Sequence, residues 1–217
     1  MNKQTEEYLN KEYQKTRSKE IYDIKMKRLT KSKMPQDYFN ISNQEFLSLF
    51  DDEYYNNTRV FALQVVNNLL KTPFITISGG EDVCLDSNPR LKMACNLAKI
   101  MVTKFDLQSI QYVLYSSLLV RITEWDTSDV VDLYKKAKMF ILAECDLYTP
   151  PGHFKNLPLV MDAILDYRKN HNLPTIITFA SNNAIGNAGK LLHYLGNNKI
   201  TPSKITPSII KIKVKGE

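Results

Sequence analysis

The sequence predicts an α/β fold, in which a parallel sheet is covered by helices on both faces and preceded by an N-terminal helical extension. Short apolar runs alternate with segments of helical periodicity through most of the chain. The run MFILA at 139–143 is apolar throughout, which is typical of a strand with both faces covered. Residues 3–31 contain neither Gly nor Pro and are rich in Glu, Lys and Gln, which favours one long, mostly exposed helix.

The first third of the chain contains the extension and the entry into the sheet. Met34-Pro35 should end the long helix, because the residue before a proline disfavours the helical region. A loop-rich connector follows over 35–57, with a short helix at 43–50. Apolar residues at helical spacing predict a helix over 58–70, and Phe74–Ser78 reads as a short strand before Gly79-Gly80.

The rest of the chain alternates helices and strands. Pro89 suits the first turn of a helix that runs to Lys104. The further predicted elements are a strand at 111–119, a helix at 127–138, a strand at 139–143, a helix at 157–170, a strand at 174–179, a short helix at 188–195 and an edge strand at 209–214. Ligands of such sheets bind at the carboxyl ends of the strands, so the segments to inspect are 78–90, 143–150 and 179–183.

Composition narrows the classes of protein. Hydrophobic residues make up 43% of the chain, enough for a sizeable core, and the mean hydropathy is −0.31. No apolar run approaches the roughly 20 residues of a membrane span, and we expect a cytoplasmic protein with no membrane contact. The three cysteines and three histidines are scattered, which predicts neither a disulfide framework nor a metal site.

The net charge of +6 is concentrated at the two ends of the chain. Residues 1–34 contain ten basic and five acidic side chains, and residues 199–217 contain five lysines and one glutamate. We therefore divide the chain into a basic helical extension at 1–34 and a near-neutral domain at 35–217. Basic ends suit contact with phosphates or an acidic partner, and they equally suit plain solvation.

Four segments carry a resemblance to a known family. They are the entry segment Pro35-Gln36-Asp37-Tyr38-Phe39, the run FITISGG after the helix at 58–70, KMFILAECDL at 138–147 and LVMDAILDYRKNHNLPTIITFASNN at 159–183. In this order they resemble the AAA+ domain of bacterial DnaC-type helicase loaders, over roughly residues 35–217. The resemblance implies an AAA+-like sheet and a role in DNA replication.

The chemistry of nucleotide hydrolysis is largely missing from the corresponding positions. A phosphate loop needs G-x-x-x-x-G-K-[ST], whereas this chain reads SGGEDVCLDSNPRLKMA, which keeps Gly79 and Gly80 but adds acidic residues. Arg90 and Leu91 fall where the lysine and the hydroxyl residue belong, and leucine cannot bind a metal ion. The Walker B acids become Ala143-Glu144, so a metal-side carboxylate would have to come from Asp146.

The late arginine that completes a neighbouring site in this family has no counterpart, because no arginine follows Arg168. Lysine does not replace the planar guanidinium fork, and an arginine finger is commonly worth about 10³–10⁵ in rate. Asn182 matches the polar residue that senses the γ-phosphate, and it equally suits a strand-end cap. We therefore predict a pseudo-ATPase without catalytic residues, a metal site or a required cofactor, and leave residual ATP or ADP binding open.

The resemblance also suggests the partner. In this family the segment before the AAA+ domain binds the replicative helicase, and residues 1–34 occupy that place. The predicted function is a replication adaptor that binds the replicative helicase, or its loader, without ATP hydrolysis. A thin apolar stripe of Tyr8, Tyr13, Ile21 and Ile24 suits a helix-in-groove contact.

Two alternatives stay open. One is a DNA-binding protein that uses the basic ends of the chain on DNA, single-stranded DNA included; the candidate contact residues are Lys135, Lys136, Lys138, Lys211, Lys213 and Lys215. The other is an atypical AAA+ ATPase that uses Arg90, Glu144 and Asp146. Oligomer formation is left open, because AAA+ relatives form rings or spirals. The high Lys, Asn and Ile content indicates an AT-rich genome, such as that of a phage or mobile element.

Overall fold

A computed structural model describes residues 3–49, 74–78, 88–124, 127–145, 157–179 and 209–213. The helices are α1 (Lys3–Lys31), α2 (Gln36–Phe39), α3 (Asn43–Ser48), α4 (Pro89–Phe105), α5 (Tyr115–Glu124), α6 (Thr127–Lys136) and α7 (Leu157–Asn170). The strands are β1 (Phe74–Ser78), β2 (Ile110–Leu114), β3 (Met139–Ala143), β4 (Thr175–Phe179) and β5 (Ile209–Lys213). Within these ranges, no helix combines the length and the apolarity needed to cross a bilayer.

The five strands form one parallel sheet in the order β2-β3-β4-β1-β5. The chain moves from β1 to the far edge at β2 and then returns through β3 and β4. Parallel crossovers are right-handed, so a reversal of direction moves the connecting helices to the opposite face. The topology therefore places α4 on one face and α5, α6 and α7 on the other. The predicted edge position of the last strand is confirmed.

Both faces of the sheet are buried, and β3 shows how its residues divide between them. Met139, Ile141 and Ala143 belong to the core beneath α1, α3 and α4, whereas Phe140 and Leu142 belong to the core beneath α5, α6 and α7. Successive side chains of a strand point to opposite faces, so a strand covered on both sides must be apolar throughout. The interpretation of MFILA as a doubly covered strand is confirmed.

The predicted strand at 111–119 is wrong in its second half. The strand ends at Leu114, and α5 begins at Tyr115. Tyr115, Leu118 and Leu119 recur at helical spacing and are all buried in the core on the second face. A continuous apolar run does not by itself distinguish a strand from a buried helix, which is why the boundary was missed. The predicted helices at 58–70 and 188–195 lie outside the described residues.

The last turns of α1 belong to the core of the domain. Leu29 is fully buried beside α4, and Met34 follows it into the same core. The Lys25 Nζ donates a hydrogen bond to the Thr103 carbonyl at 2.8 Å, and Arg28 Nη1 lies 2.7 Å from Asp106 Oδ1. The end of α1 is therefore fixed to the end of α4 by apolar and polar contacts together.

Candidate functional site

A polar cluster lies where the carboxyl ends of β3 and β4 meet the start of α4. Glu144 directly follows β3, and Thr178 is the second-last residue of β4. Asn88 caps α4, since its side-chain Oδ1 accepts a hydrogen bond from the Leu91 N–H at 3.1 Å, and Pro89 occupies the first turn. This cap places Arg90 in the first turn of the helix, facing the strand ends.

Arg90 and Glu144 form a buried, two-point ion pair. Arg90 Nη2 donates to Glu144 Oε2 at 2.9 Å, and Arg90 Nε donates to Glu144 Oε1 at 3.3 Å. Only 3% of the Arg90 side chain and 8% of the Glu144 side chain are exposed. Charge-assisted, two-point pairs of this kind are stronger than neutral hydrogen bonds and fix the mutual orientation of both groups.

Thr178 holds Glu144 from the neighbouring strand. Its hydroxyl donates to Glu144 Oε1 at 3.0 Å and accepts a hydrogen bond from the Glu144 N–H at 2.9 Å. The Glu144 backbone has a φ of 59°, a left-handed conformation that costs roughly 1–2 kcal/mol for a residue with a side chain. The reciprocal hydrogen bonds to Thr178 help to stabilise this turn, which directs the carboxylate toward Arg90.

The cluster has a definite chemical consequence. Glu144 Oε1 accepts two hydrogen bonds and Oε2 accepts one, and the ion pair with Arg90 stabilises the charged form, which weakens this carboxylate as a base for a water molecule. The preceding Ala143 is fully buried and offers no oxygen ligand from its side chain. Leu91, at the position of the phosphate-loop hydroxyl, is buried in the core under α4.

Several residues predicted for the pocket cannot be placed. Gly79, Gly80, Asp146 and Asn182 lie outside the described residues, so Arg90 and Glu144 are the two predicted pocket residues that the structure brings together. Across the described ranges, no group of three His, Cys, Asp or Glu side chains could hold a metal ion.

The predicted docking residues lie on the part of α1 that precedes its buried end. The side chain of Tyr8 is outside the described residues, whereas Tyr13 is 60% exposed, Ile21 44% and Ile24 53%. At about 100° per residue, the last three fall within about 80° of the helix circumference. Tyr13 and Ile24 point away from the side that buries Leu29, so their exposure follows from the way α1 packs.

Three of the predicted DNA-contacting lysines, Lys135, Lys136 and Lys138, lie at the amino edge of the sheet, opposite the polar cluster. Lys135 and Lys136 end α6, and Lys138 is exposed directly before β3. Lys136 Nζ lies 2.6 Å from Asp132 Oδ2, and Lys135 Nζ lies 5.6 Å from the centroid of the Tyr167 ring. Lys211 and Lys213 lie in β5, where only the backbone is described, and Lys215 is outside the described residues.

Sequence reasoning missed the structural importance of Arg168. This side chain is fully buried and donates to Thr175 Oγ1 at 2.7 Å and to the carbonyls of Tyr134, Lys135, Ala137 and Pro174 at 2.6–3.3 Å. Burial lowers its pKa, and the carbonyl dipoles at the end of α6 favour the charged form. A signal was present, because Arg168 continues the buried stripe Val160, Met161, Ile164 and Leu165.

The strand order, the helices on both faces and the polar cluster at the carboxyl edge define an AAA+-like α/β domain. Three solved structures share this fold. The DnaC helicase loader is 17% identical with a TM-score of 0.52, over 80% of this chain and 100% of its own. DnaI is 14% identical with a TM-score of 0.55, over 84% of this chain and 95% of its own.

The third is a putative primosome component from Streptococcus pyogenes serotype M3, 14% identical with a TM-score of 0.52 over 85% of this chain and 91% of its own. No protein-family model matches the chain, and no curated protein matches its sequence. At these identities the likeness shows the fold, so this chain has the AAA+-like fold of the DnaC and DnaI helicase loaders.

Proposed function

We propose that this chain is a DNA-replication adaptor that binds the replicative helicase, or a helicase loader, through α1 and acts without hydrolysing ATP. The fold supports this proposal, because the structures that share it include the DnaC helicase loader and a putative primosome component. A role at the helicase would place the chain in the cytoplasm.

The observation that carries the proposal is the exposed stretch of α1. Tyr13, Ile21 and Ile24 are large apolar side chains left in solvent on one side of the helix. Among the side chains of α1 that the structure describes, those packed on the domain lie near its end, so this 29-residue helix gains little stability there and a partner groove would supply further contacts. The contacts of Lys25 and Arg28 with α4 hold the base of α1, so the stretch is presented in a defined direction.

The state of the pocket supports action without hydrolysis. Arg90 and Glu144 are the two described residues that could serve a nucleotide, and each engages the other at 2.9 Å. Ala143 and Leu91 occupy the positions at which an ATPase of this fold would have metal ligands, and neither side chain has an atom that binds a metal ion. We expect the purified chain to release no phosphate from ATP above a control without protein.

The first experiment is gel filtration with light scattering of the chain mixed with the replicative helicase of the same genome. Deleting 1–34 would remove Leu29 and Met34 from the core, so point variants on the exposed stretch are the cleaner test. Tyr13→Glu and Ile24→Lys should weaken the complex at least tenfold, because buried aromatic and aliphatic anchors dominate such contacts.

Tyr22→Glu is the matched control. Tyr22 is 46% exposed, yet it lies about 180° around α1 from Tyr13 and on the side of Leu29. It should therefore leave the complex intact while adding the same charge to the same helix. A complex unchanged by Tyr13→Glu and by Ile24→Lys would rule out α1 as the docking element. Failure of the unaltered chain to bind either the replicative helicase or a helicase loader in the same measurement would contradict the adaptor function.

A second candidate function, binding of single-stranded DNA, is favoured by one surface. Lys135 lies over Tyr167, whose ring stacks on His171 with 3.9 Å between centroids, and Lys138 is exposed nearby in sequence. Basic groups beside stacked rings suit phosphates and bases. Lys135→Ala and Lys138→Ala should each reduce the slope of log affinity for DNA against log salt concentration by about one unit. Lys15→Ala on α1 should leave this slope unchanged. If all variants and the unaltered chain had the same slope, the surface around Lys135 and Lys138 would not be a DNA-binding site.

A further inference from the structure

We propose that the exposed face of α1 pairs with α1 of a second copy of this chain, in an antiparallel arrangement, when no other partner is bound. The seam between the two helices consists of Tyr13, Arg17, Glu20 and Ile24, which all lie in the exposed part of α1. The free chain then covers its own docking face in a homodimer. A helicase or a helicase loader has to compete with the second copy for this face.

The spacing of the four seam residues is the first support for this pairing. Tyr13, Arg17, Glu20 and Ile24 follow one another at intervals of four, three and four, the alternation that brings side chains to the seam of a two-helix coiled coil. At about 100° per residue, they fall within about 60° of the helix circumference. Leu29, which is fully buried in the domain, lies about 150° from the middle of this seam. The seam therefore faces away from the domain.

The order of the four residues is the second support, because it is complementary to itself when reversed. A two-fold axis that passes between residues 18 and 19, perpendicular to α1, places Arg17 opposite Glu20 of the second copy, and Glu20 opposite Arg17. The same axis places Tyr13 opposite Ile24 of the second copy, and Ile24 opposite Tyr13. Two contacts between opposite charges are thus flanked by two apolar contacts. A parallel pair in register would instead bring Arg17 beside Arg17 and Glu20 beside Glu20.

The state of these side chains is the third support. Tyr13 is 60% exposed and Ile24 is 53% exposed. Arg17 and Glu20 are also exposed, and within the described part of the chain neither of them is in an ion pair, although they lie three residues apart on one helix. Arg28 of the same helix, by contrast, is paired at the end of α4. The charges of the seam therefore have room for partners outside the chain.

The two kinds of contact contribute differently to the homodimer. Exposed ion pairs add little affinity, so the Tyr13–Ile24 contacts supply most of the attraction. The Arg17–Glu20 contacts instead select the antiparallel direction and the register, because like charges would meet in other arrangements. So short a seam predicts a weak homodimer that exchanges readily, which suits a face that another protein has to reach.

The inference deepens the proposed function by adding regulation of the docking face, and it rests on that function for this consequence alone. Because Tyr13 and Ile24 serve both contacts, helicase binding requires the homodimer to separate. The pairing itself is tested on the purified chain without a helicase. A chain that pairs with itself but binds neither helicase nor loader would contradict the adaptor function only, and a monomeric chain that binds the helicase would contradict the pairing only.

The experiment measures self-association by analytical ultracentrifugation, from micromolar to millimolar concentration. It compares the unaltered chain, Arg17→Glu, Glu20→Arg and an equimolar mixture of these two variants. Each variant alone should weaken the homodimer at least tenfold, because like charges then meet at the centre of the seam. The mixture should associate, because every central contact between the two variants joins an acid to an arginine. The double variant Arg17→Glu/Glu20→Arg should pair with itself as the unaltered chain does.

Lys15→Glu and Glu12→Arg are the matched controls. These residues form an exposed ion pair on α1, and they lie about 160° and about 100° around the helix from Tyr13. The two substitutions change the net charge by the same amounts as the seam variants but leave the seam intact. Each control variant alone should therefore form the homodimer like the unaltered chain.

Loss of the homodimer in both seam variants, its recovery in their mixture and its retention in both controls would support the proposal. An unaltered chain that stays monomeric up to millimolar concentration would overturn it. Homodimers of Arg17→Glu and Glu20→Arg as tight as that of the unaltered chain would also overturn it, because another surface would then form the contact. Seam variants that remain monomeric when mixed would overturn it as well, since the loss would then reflect damage to α1.

Discussion

The two edges of the sheet each contain a buried arginine, and the chain neutralises the two charges differently. At the carboxyl edge Arg90 is balanced by the carboxylate of Glu144, a full opposite charge on a single side chain. At the amino edge Arg168 is held by four backbone carbonyls and by Thr175, with no carboxylate among these partners. The first arrangement depends on the identity of one side chain, whereas the second depends on backbone groups from three segments of the fold.

Arg168 therefore has a structural role, whereas Arg90 lies in the candidate functional site. Besides Thr175, the partners of Arg168 are the last carbonyls of α6, Ala137 in the link to β3 and Pro174 directly before β4, so it joins a helix end to two strand starts. These acceptors belong to the backbone and are fixed by the fold. Arg90 instead meets a side chain at the ligand edge, where a change of one residue changes the chemistry without changing the fold.

The largest expected effect comes from Arg168→Met, which keeps much of the apolar stem but removes every donor. Several buried carbonyls lose a partner at once, and we expect a loss of more than about 4 kcal/mol in the free energy of unfolding. Urea denaturation measures it. Arg168→Lys restores one point charge and should recover only part of the loss, because lysine lacks the fork. If Arg168→Met lost less free energy of unfolding than Arg90→Met, the larger structural role would belong to Arg90.

The next effect is the loss caused by Arg90→Met, which leaves Glu144 buried without its counter-charge. We expect about 3–5 kcal/mol in urea denaturation. Adding Glu144→Met should restore most of this stability, since a well-packed apolar pair often replaces a buried ion pair without loss. For Arg168 no single second substitution can compensate. A double variant as unstable as Arg90→Met would contradict this distinction.

At alkaline pH we expect a smaller loss of stability, caused by buried groups other than Arg90 and Arg168. Burial raises the pKa of the Cys95 thiol from 9.0 to about 12 and that of the Tyr115 hydroxyl from 10.0 to about 12. The unfolded chain therefore releases these protons first, so stability is full below the unfolded pKa values and falls as pH rises toward the folded ones.

Between about pH 9 and pH 10 the Cys95 contribution should fall by about 1 kcal/mol, because the unfolded thiol is half ionised at pH 9 and about nine-tenths ionised at pH 10, while the folded thiol keeps its proton. Urea denaturation of the unaltered chain and of Cys95→Ala at both pH values checks it. Cys95→Ala should show a visibly shallower loss. Parallel losses in the two proteins would assign the alkaline effect to other groups.

The smallest effect concerns the cap that positions Arg90. Asn88→Ala removes the side-chain acceptor of the Leu91 N–H and should cost about 1 kcal/mol. Asn88→Asp keeps an acceptor at the cap and should cost less. If thermal melting shows that Asn88→Ala destabilises the chain as much as Arg90→Met does, the cap contributes more to stability than its single hydrogen bond indicates.

Much of the fold could be predicted because its elements have local causes. The apolar run at 139–143, the proline at the first turn of α4 and the length of α1 all depend on neighbouring residues, and these three predictions agree with the structure. The boundary between β2 and α5 was missed because the largely apolar segment Tyr112–Leu119 suits either a strand or a helix. Only packing of α5 on the second face decides between a strand and a helix there.

The sequence by itself determined the strands apart from the end of β2, the long N-terminal helix and the absence of the phosphate-loop and Walker B sequence motifs, because residue identity and spacing suffice for these. Tertiary structure alone decided that Arg90 meets Glu144, 54 positions away, that Arg168 is enclosed by backbone carbonyls, and that Leu29 fixes the end of α1. The physical reason is that burial and ion pairing depend on which surfaces the folded sheet brings together. Local patterns carry no information about partners so distant along the chain.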